Sequence, residues 1–325
     1  MPQIELRKQY ASLLSKLRMA PCDWATPGRH CTVLNFHYFS TGTPSSYLEV
    51  SAKSIAIQLE VLRSEFRVVA LKDAALSLIG RQSLSAVHPV VALSIDDGCS
   101  SFDTVLSKFE RFAIPVTLFV PVGLCLPEES MDGLRSWCLR YYSGLLGGPE
   151  VAGASGSVFF EAVMSAREDE LRSQLARLRD AARWPDPICG RRLFIFGDLR
   201  RLAQHPLVTV ASHSMSHQVL SALPEAWCRW EVETAARYVK DAGGDVELFA
   251  YPYGHPRAFN ETTRKLLSLA GIRYAFTTMA TRLSAASDPF AIGRASMFEG
   301  TSSDYIRGTA GGAFELWDTL RFGRR

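Results

Sequence analysis

Short apolar runs alternate with amphipathic segments of helical period along most of this chain, and this alternation restricts the fold more than any other feature. Strands that alternate with helices favour a parallel sheet, either open or closed into a barrel. We predict strands at residues 31–38, 67–70, 90–96, 116–120, 207–212, 247–251 and 274–277. We predict helices between them at residues 54–66, 72–79, 102–112, 224–242 and 258–270. In such folds the functional residues cluster at the C-terminal ends of the strands.

One region departs from this alternation of strands and helices. After residue 123 the strand pattern fades, and helical sequence at 134–146 and 158–184 flanks a stretch rich in Gly, Ala and Ser at 147–157. We expect a helical insertion at about 124–205 in a barrel that spans 30–325, after an N-terminal extension at 1–29. The insertion is either a solvated helical hairpin or a lid over the mouth of the barrel.

Composition excludes several classes of protein. The 325 residues carry a net charge of +3, too little to indicate binding to nucleic acid or to an anionic membrane. No apolar run approaches the roughly 20 residues of a transmembrane helix. The first 18 residues are charged throughout and lack the apolar core of a signal peptide, and the seven scattered cysteines form no CxxC pair. We therefore expect a reduced, cytoplasmic protein, and the sequence indicates no oligomeric state.

Two adjacent acidic residues end the third predicted strand, in Ser94-Ile95-Asp96-Asp97-Gly98. Because side chains alternate along a strand, the two carboxylates should point in different directions. One could then bind a cation, which would offset the cost of burying charge, while the other takes part in proton transfer. Asp-Asp-Gly is also an ordinary turn sequence, so the motif needs partners elsewhere in the chain.

A pair of histidines follows the fifth predicted strand, in His213-Ser214-Met215-Ser216-His217. Histidines four residues apart share one face of a helical turn, where both can reach one ion. With Asp97 they form a set of one carboxylate and two imidazoles. Such a set leaves coordination positions open for water and substrate, as catalytic zinc or iron sites require.

Two further segments end predicted strands. In Tyr251-Pro252-Tyr253-Gly254 the Pro and Gly fix a loop, which could aim the backbone N–H of Tyr253 at a developing oxyanion. The alternative is a simple turn with packed aromatics. His37, in Asn35-Phe36-His37-Tyr38, lies at the same predicted mouth, although a lone histidine beside aromatics is commonly a packed core residue.

Together these motifs resemble those of the polysaccharide deacetylases, the NodB-homology or carbohydrate esterase family 4 enzymes. Ser94-Ile95-Asp96-Asp97-Gly98 resembles their Thr-Phe-Asp-Asp-Gly motif, and His213-Ser214-Met215-Ser216-His217 their His-Ser/Thr-x-x-His motif. Tyr251-Pro252-Tyr253-Gly254 is similar to the Pro-Tyr core of their third motif, and residues 109–120 are also similar. The order and spacing agree over about residues 30–300, and three ordered motifs in strand-end contexts are a specific pattern.

The resemblance implies a deformed (β/α)7 barrel with a divalent metal at its mouth. Asp97, His213 and His217 would bind the metal, usually Zn²⁺, with Co²⁺, Ni²⁺ or Fe²⁺ as alternatives. Asp96 would be the general base that takes a proton from the attacking water. The Tyr253 backbone N–H would help to hold the oxyanion.

The chain also departs from the family pattern. The third motif usually has an Arg two residues before its Pro, where this chain has Ala250. We predict that Arg294 supplies that cation. The late histidine that usually protonates the leaving amine has no evident match, so we assign His37 as general acid, with His255 as the competitor.

The resemblance implies a metal-dependent N-deacetylase that acts on an N-acetylated sugar and releases acetate. The substrate would be a glycan precursor, a glycolipid or an amino-sugar natural product, because the missing export signal argues against secreted polymers. A deformylase or another amide hydrolase on the same scaffold is one alternative. A non-catalytic carbohydrate-binding barrel is another.

Overall fold

Parallel strands form the centre of the structure, as the alternation predicts. The computed structural model describes residues 2–16, 28–84, 86–145, 153–181, 192–300 and 302–314. Its strands are β1 (His30–Phe36), β2 (Tyr38–Ser40), β3 (Glu49–Ser51), β4 (Arg67–Val68), β5 (Val90–Ile95), β6 (Val116–Val120), β7 (Val208–Ser212), β8 (Leu248–Ala250), β9 (Tyr274–Phe276), β10 (Leu283–Ser284) and β11 (Ala295–Ser296). Its helices are α1 (Pro2–Lys16), α2 (Ala52–Glu65), α3 (Leu71–Ile79), α4 (Leu106–Phe112), α5 (Met131–Leu145), α6 (Gly153–Ser165), α7 (Glu168–Ala181), α8 (Phe196–Ala203), α9 (Glu225–Asp241), α10 (Glu261–Leu269) and α11 (Ser303–Ala310).

The strands pair in the order β1-β5-β6-β7-β8-β9, and every neighbour in this series is parallel. On the other side of β1, β10 pairs antiparallel and β11 parallel. A bridge between Phe276 and Ile292 joins β9 to the segment that leads into β11. Residues 292–296 therefore connect the last strand of the series to the first, which gives the curled parallel sheet of a deformed barrel.

Alternate residues of the strands pack on opposite faces of the sheet. Val33 and Ala92 belong to the inner cluster, whereas their neighbours Leu34 and Leu93 pack in the outer cluster with α2, α4 and α8. Helix α3 packs with the inner cluster. The same alternation places Asp96, directly after β5, on the inner face at the C-terminal end of the barrel.

The helical insertion packs against the barrel instead of standing in solvent as a separate hairpin. α5, α6 and α7 share a buried cluster with α9 and α10. The charges of α7 lie on its exposed side, where Arg172 pairs with Glu168. Most of the Gly/Ala/Ser-rich stretch at 147–157, and the end of the predicted helix at 182–184, lie outside the described residues. No helix within the described ranges is long and apolar enough to cross a bilayer.

Some predicted elements differ in detail. The strand predicted at 31–38 ends at Phe36, because Tyr38 begins β2, which pairs with β3 in a separate two-stranded sheet. The N-terminal extension contains α1, which packs against α11, and Lys8 of α1 donates to the Glu299 carbonyl at 2.7 Å. The predicted domain boundaries stay predictions.

Candidate metal centre and hydrolytic site

The two aspartates after β5 face different partners because the backbone turns sharply after the first of them. The N–H of Asp96 continues the strand pairing and donates to the Phe36 carbonyl at 3.0 Å. Asp97 and Gly98 both have left-handed backbone, with φ of 72° and 65°. This conformation is unfavourable for a residue with a Cβ, and such outliers often occur at functional sites. The structure thus separates the two carboxylates as predicted, but it does so through this turn and not through strand alternation, because β5 ends at Ile95.

The two histidines lie on an irregular loop after β7, and the helical turn predicted for them is wrong. Ser214 and His217 adopt left-handed φ values of 68° and 58°, which no α-helix contains. His213 is held at the strand end, because its N–H donates to the Val120 carbonyl at 2.9 Å. The loop then folds back, and the two imidazole rings meet edge to face, 4.8 Å apart.

Asp97, His213 and His217 converge on one point. The Nε2 atoms of His213 and His217 lie 3.5 and 3.1 Å from Oδ1 of Asp97. All three side chains are buried, and their ligand atoms lie within 4.8 Å of one another. Ligands about 2.1 Å from an ion in tetrahedral geometry are about 3.4 Å apart, so these separations fit a divalent ion such as zinc.

The electrostatics of the triad favour the protonation states that ligands need. Nδ1 of His213 is 2.7 Å from the Ala250 carbonyl, which leaves Nε2 as the acceptor. Burial lowers the pKa of His217 to about 4, although Asp97 opposes this, and the imidazole is neutral. Burial alone would raise the pKa of Asp97, but its close contacts with both imidazoles hold it well below its ordinary value. Metal binding requires such deprotonated ligands.

Tyr38 contacts the triad from β2, and sequence reasoning did not identify it. Its hydroxyl donates to Oδ2 of Asp97, while Oδ1 faces the two histidines. The Tyr38 side chain is 1% exposed, so its ring is fixed by packing. The two oxygens of Asp97 therefore have separate partners. Nothing in the sequence distinguished Tyr38 from its aromatic neighbours.

Asp96 forms a two-point ion pair with Arg294. Nη1 and Nη2 of Arg294 lie 2.7 and 2.8 Å from Oδ1 and Oδ2 of Asp96, and both residues are buried. Asn35 donates a further hydrogen bond to Oδ2 at 3.0 Å. Burial would raise the pKa of Asp96, but the charge of Arg294 outweighs it and the pKa is lowered. Asp96 is therefore an oriented, ionised carboxylate.

The connection between the two edges of the sheet explains how a residue so late in the chain reaches Asp96. Arg294 lies between Ile292, which bridges to β9, and β11, which pairs with β1. Its Nε donates to the Thr277 carbonyl at 3.0 Å. At Ala250, where the family usually has arginine, this chain has a buried residue whose carbonyl faces His213. Arg294 thus pairs with Asp96, and its role as the cation missing at Ala250 stays a prediction.

Tyr253 lies at the rim of the site, beside the metal triad. Its ring meets that of His217 edge to face at 4.9 Å, and its backbone is left-handed, with φ of 62°. Arg140, on α5 of the insertion, donates from Nη1 to the Tyr253 hydroxyl at 3.1 Å and to the His217 carbonyl at 3.3 Å. No described residue accepts a hydrogen bond from the Tyr253 backbone N–H. The insertion therefore touches the site, which the sequence did not predict at the level of residues.

The two histidines that compete for the role of general acid differ in their surroundings. Nδ1 of His37 is buried and has no hydrogen-bond partner among the described residues. A positive charge on His37 would contribute, after larger effects, to lowering the pKa of both Asp96 and Asp97. Nδ1 of His255 instead accepts from the Arg257 N–H, at 3.2 Å within its own turn.

Comparison with known proteins adds independent findings. The family described as polysaccharide deacetylase matches residues 196–275, which include the histidine pair and Tyr253. No curated protein sequence matches the chain. Among solved structures, the Streptococcus pyogenes deacetylase PplD has 15% identity and a TM-score of 0.60, covering 86% of this chain and 98% of its own. IcaB from Ammonifex degensii has 20% identity and a TM-score of 0.58, and the match covers 88% of this chain and 98% of IcaB. The BpsB deacetylase domain from Bordetella bronchiseptica has 18% identity and a TM-score of 0.54, and the match covers 83% of this chain and 96% of that domain.

The fold and the site together define a deformed α/β barrel with a candidate metal centre at the C-terminal ends of its strands. The similar structures share this barrel, which confirms the predicted (β/α)7 fold. The predicted resemblance is confirmed as well, because the polysaccharide deacetylase family matches residues 196–275 and deacetylases are among the similar structures.

Proposed function

We propose that this protein is a metal-dependent hydrolase that removes the N-acetyl group from an amino sugar and releases acetate. The observation that carries the proposal is the division between the two carboxylates. Asp97 faces the Nε2 atoms of two histidines, whereas Asp96 is clamped by Arg294 on the other side of the same turn. The match of residues 196–275 to the polysaccharide deacetylase family supports the choice of an N-acetylated sugar as substrate.

The roles of the residues follow from their positions. A divalent ion held by the triad would supply Lewis acidity, which makes water a stronger nucleophile near neutral pH. Asp96 accepts a proton from the attacking water as the water oxygen bonds to the acyl carbon. The Tyr253 backbone N–H donates to the oxyanion. His37 gives a proton to the amine nitrogen as the C–N bond breaks. We take zinc as the ion, with Co²⁺, Ni²⁺ and Fe²⁺ as alternatives.

Product analysis on a panel of sugars tests the substrate class. The panel contains N-acetyl sugars, nucleotide sugars and lipid-linked sugars, each with acetyl or formyl on nitrogen, and acetate and formate are quantified separately. We expect acetate and free amine in equal amounts from at least one acetyl sugar. Formate alone would make the protein a deformylase. Sugar binding with no acid released by the metal-loaded protein would contradict the proposal and indicate a binding barrel.

Tyr38→Phe tests whether the hydroxyl on Asp97 supports metal binding. Removing it leaves Oδ2 of Asp97 without that donor, so the carboxylate can rotate away from the histidines. Partners of metal ligands typically contribute 10- to 100-fold in affinity, and we expect the metal dissociation constant to rise by about 10-fold or more. Competition with a chelating dye measures it. Tyr47→Phe is the matched control, because Tyr47 is 57% exposed. Unchanged metal affinity in Tyr38→Phe would show that the Tyr38 hydroxyl does not support metal binding.

A pair of variants, His37→Ala and His255→Ala, tests which histidine is the general acid. We expect His37→Ala to lower turnover by about 10²- to 10⁴-fold at unchanged metal content, since it removes a proton donor. His255→Ala should change turnover little. A substrate with a better leaving group, such as an N-acyl aniline, should recover much of the loss in His37→Ala. If His255→Ala shows the large loss instead, the assignment moves to His255.

A further inference from the structure

A carboxylate outside the metal triad is buried directly beneath the loop that carries the histidines. Glu231, on α9, is 0% exposed. The neighbouring glutamates on the same helix, Glu225 and Glu233, are exposed and pair with Arg229. A fully buried glutamate is rare unless its charge is compensated, so its partners indicate its purpose.

The partners of Glu231 are mostly on the histidine loop. Oε2 accepts from the backbone N–H groups of Met215 and Ser216, at 2.8 and 2.9 Å. Oε1 accepts from the Ser216 hydroxyl and from Nε1 of Trp227, the latter at 3.3 Å. All four partners are donors, which favours the ionised carboxylate, whereas burial acts against it and raises the pKa of Glu231. Hydrogen bonds to a charged acceptor are about twice as strong as those between neutral groups.

The loop needs such an acceptor because its conformation provides no regular one. Residues 213–218 are all buried, and Ser214 and His217 have left-handed backbone. Neither a helix nor a strand ladder takes up the N–H groups of Met215 and Ser216. Leaving a buried N–H without a partner is unfavourable, so the loop would otherwise rearrange.

The two histidines depend on this loop to different degrees. His213 is fixed independently, by its N–H on the Val120 carbonyl and its Nδ1 against the Ala250 carbonyl. The N–H of His217 donates only to the Ser214 hydroxyl, at 3.1 Å, within the loop itself. Arg140 also holds the His217 carbonyl and the Tyr253 ring packs against its imidazole, but the backbone N–H of His217 depends on residues 214–216, which Glu231 holds from below.

We propose that Glu231 is a positioning residue that holds the 213–217 loop in the conformation in which Nε2 of His217 faces Asp97. Its importance for metal affinity rests on the proposed function. No hydrogen bond within the described ranges joins Glu231 to Asp97, His213 or His217, and it acts through the backbone of Met215 and Ser216 and the Ser216 hydroxyl.

Glu231→Gln tests this role with little change of volume. The amide keeps one acceptor oxygen, but its NH₂ group faces donors on the other side. We expect the dissociation constant for added Zn²⁺ to rise by about 10- to 100-fold, as for other residues that orient metal ligands. Turnover should be low at limiting Zn²⁺ and recover at saturating Zn²⁺, which a general loss of structure would not allow.

Two variants serve as references. Glu233→Gln makes the same change at an exposed position of the same helix, 46% exposed, and should match the wild type. Ser216→Ala removes only the hydroxyl donor, and its Zn²⁺ affinity should lie between those of the wild type and Glu231→Gln. If Glu231→Gln does not fold, Ser216→Ala still tests the proposal. A Zn²⁺ affinity of Ser216→Ala equal to that of the wild type would overturn it.

Hydrogen exchange separates this inference from the proposed function. In the metal-free protein, the amides of Met215 and Ser216 should exchange faster in Glu231→Gln than in the wild type, while the strands stay protected. Unchanged exchange together with unchanged Zn²⁺ affinity refutes the role of Glu231. A wild type that binds no divalent ion refutes the proposed function, and the exchange data then still decide whether Glu231 orders the loop.

Discussion

Asp96→Asn is expected to lower turnover by about 10²- to 10⁴-fold while the metal content stays that of the wild type, because a positioned general base contributes an acceleration of this size. Asparagine has nearly the same shape, so it can keep the contact of Oδ1 with Nη1 of Arg294. It cannot accept a proton from water at pH 7. Initial rates of acetate release, normalised to bound metal, measure the effect.

The control for Asp96→Asn is the same substitution at Asp103, which lies in the 3₁₀ helix after the site and pairs with Arg201 at the surface. Asp103→Asn should keep wild-type turnover. If Asp96→Asn retained more than about a tenth of the activity, the loss would be smaller than a general base supplies. The proton would then be taken by another group.

Arg294→Ala is expected to lower the free energy of unfolding by about 3–5 kcal/mol, because it leaves the buried carboxylate of Asp96 without its counter-charge. Arg294 also donates to Asn35 and to the Thr277 carbonyl, so the substitution leaves several buried acceptors unsatisfied. A domain is typically stable by only about 5–15 kcal/mol, and the effect should be visible as a lower urea midpoint at an unchanged m-value. Turnover should fall as well, since Asp96 loses its orientation.

Two variants serve as comparisons for Arg294→Ala: the conservative change Arg294→Lys and the surface control Arg201→Ala. Lysine keeps the positive charge but cannot form the two parallel hydrogen bonds, so we expect intermediate stability and reduced turnover. Arg201 is half exposed and pairs with surface aspartates, and its removal should leave the urea midpoint almost unchanged. Wild-type stability and turnover in Arg294→Ala would show that the ion pair with Asp96 has no role in the site.

The elements that sequence reasoning found are those with strong local patterns. The strands at 90–95 and 116–120 are mostly apolar, with one hydroxyl residue each, and both are fully buried in the structure. The ligand candidates Asp97, His213 and His217 follow such strands, so the rule that parallel strand ends meet was enough to bring them together. Their residue types and their spacing then identified them as candidate metal ligands.

Residues that act through tertiary contacts were not accessible to the sequence. Tyr38 and Glu231 contact the site across 59 and 15 residues of chain. Nothing local marks them, since one follows an aromatic run and the other belongs to a helix with several glutamates. Arg294 could be anticipated only because Ala250 left a cation missing. The helical turn expected at 213–217 failed because Glu231 supplies acceptors that make an irregular loop stable.

The central claim is that the two adjacent aspartates divide metal binding and proton transfer between them. The most direct test is the metal content of purified wild type, Asp96→Asn and Asp97→Asn after dialysis against a weak chelator and reloading with Zn²⁺, read together with acetate release. The account predicts one Zn²⁺ per chain and turnover in the wild type, one Zn²⁺ without turnover in Asp96→Asn, and neither in Asp97→Asn. Stoichiometric Zn²⁺ in Asp97→Asn, or turnover above about a tenth of the wild type in Asp96→Asn, would contradict it.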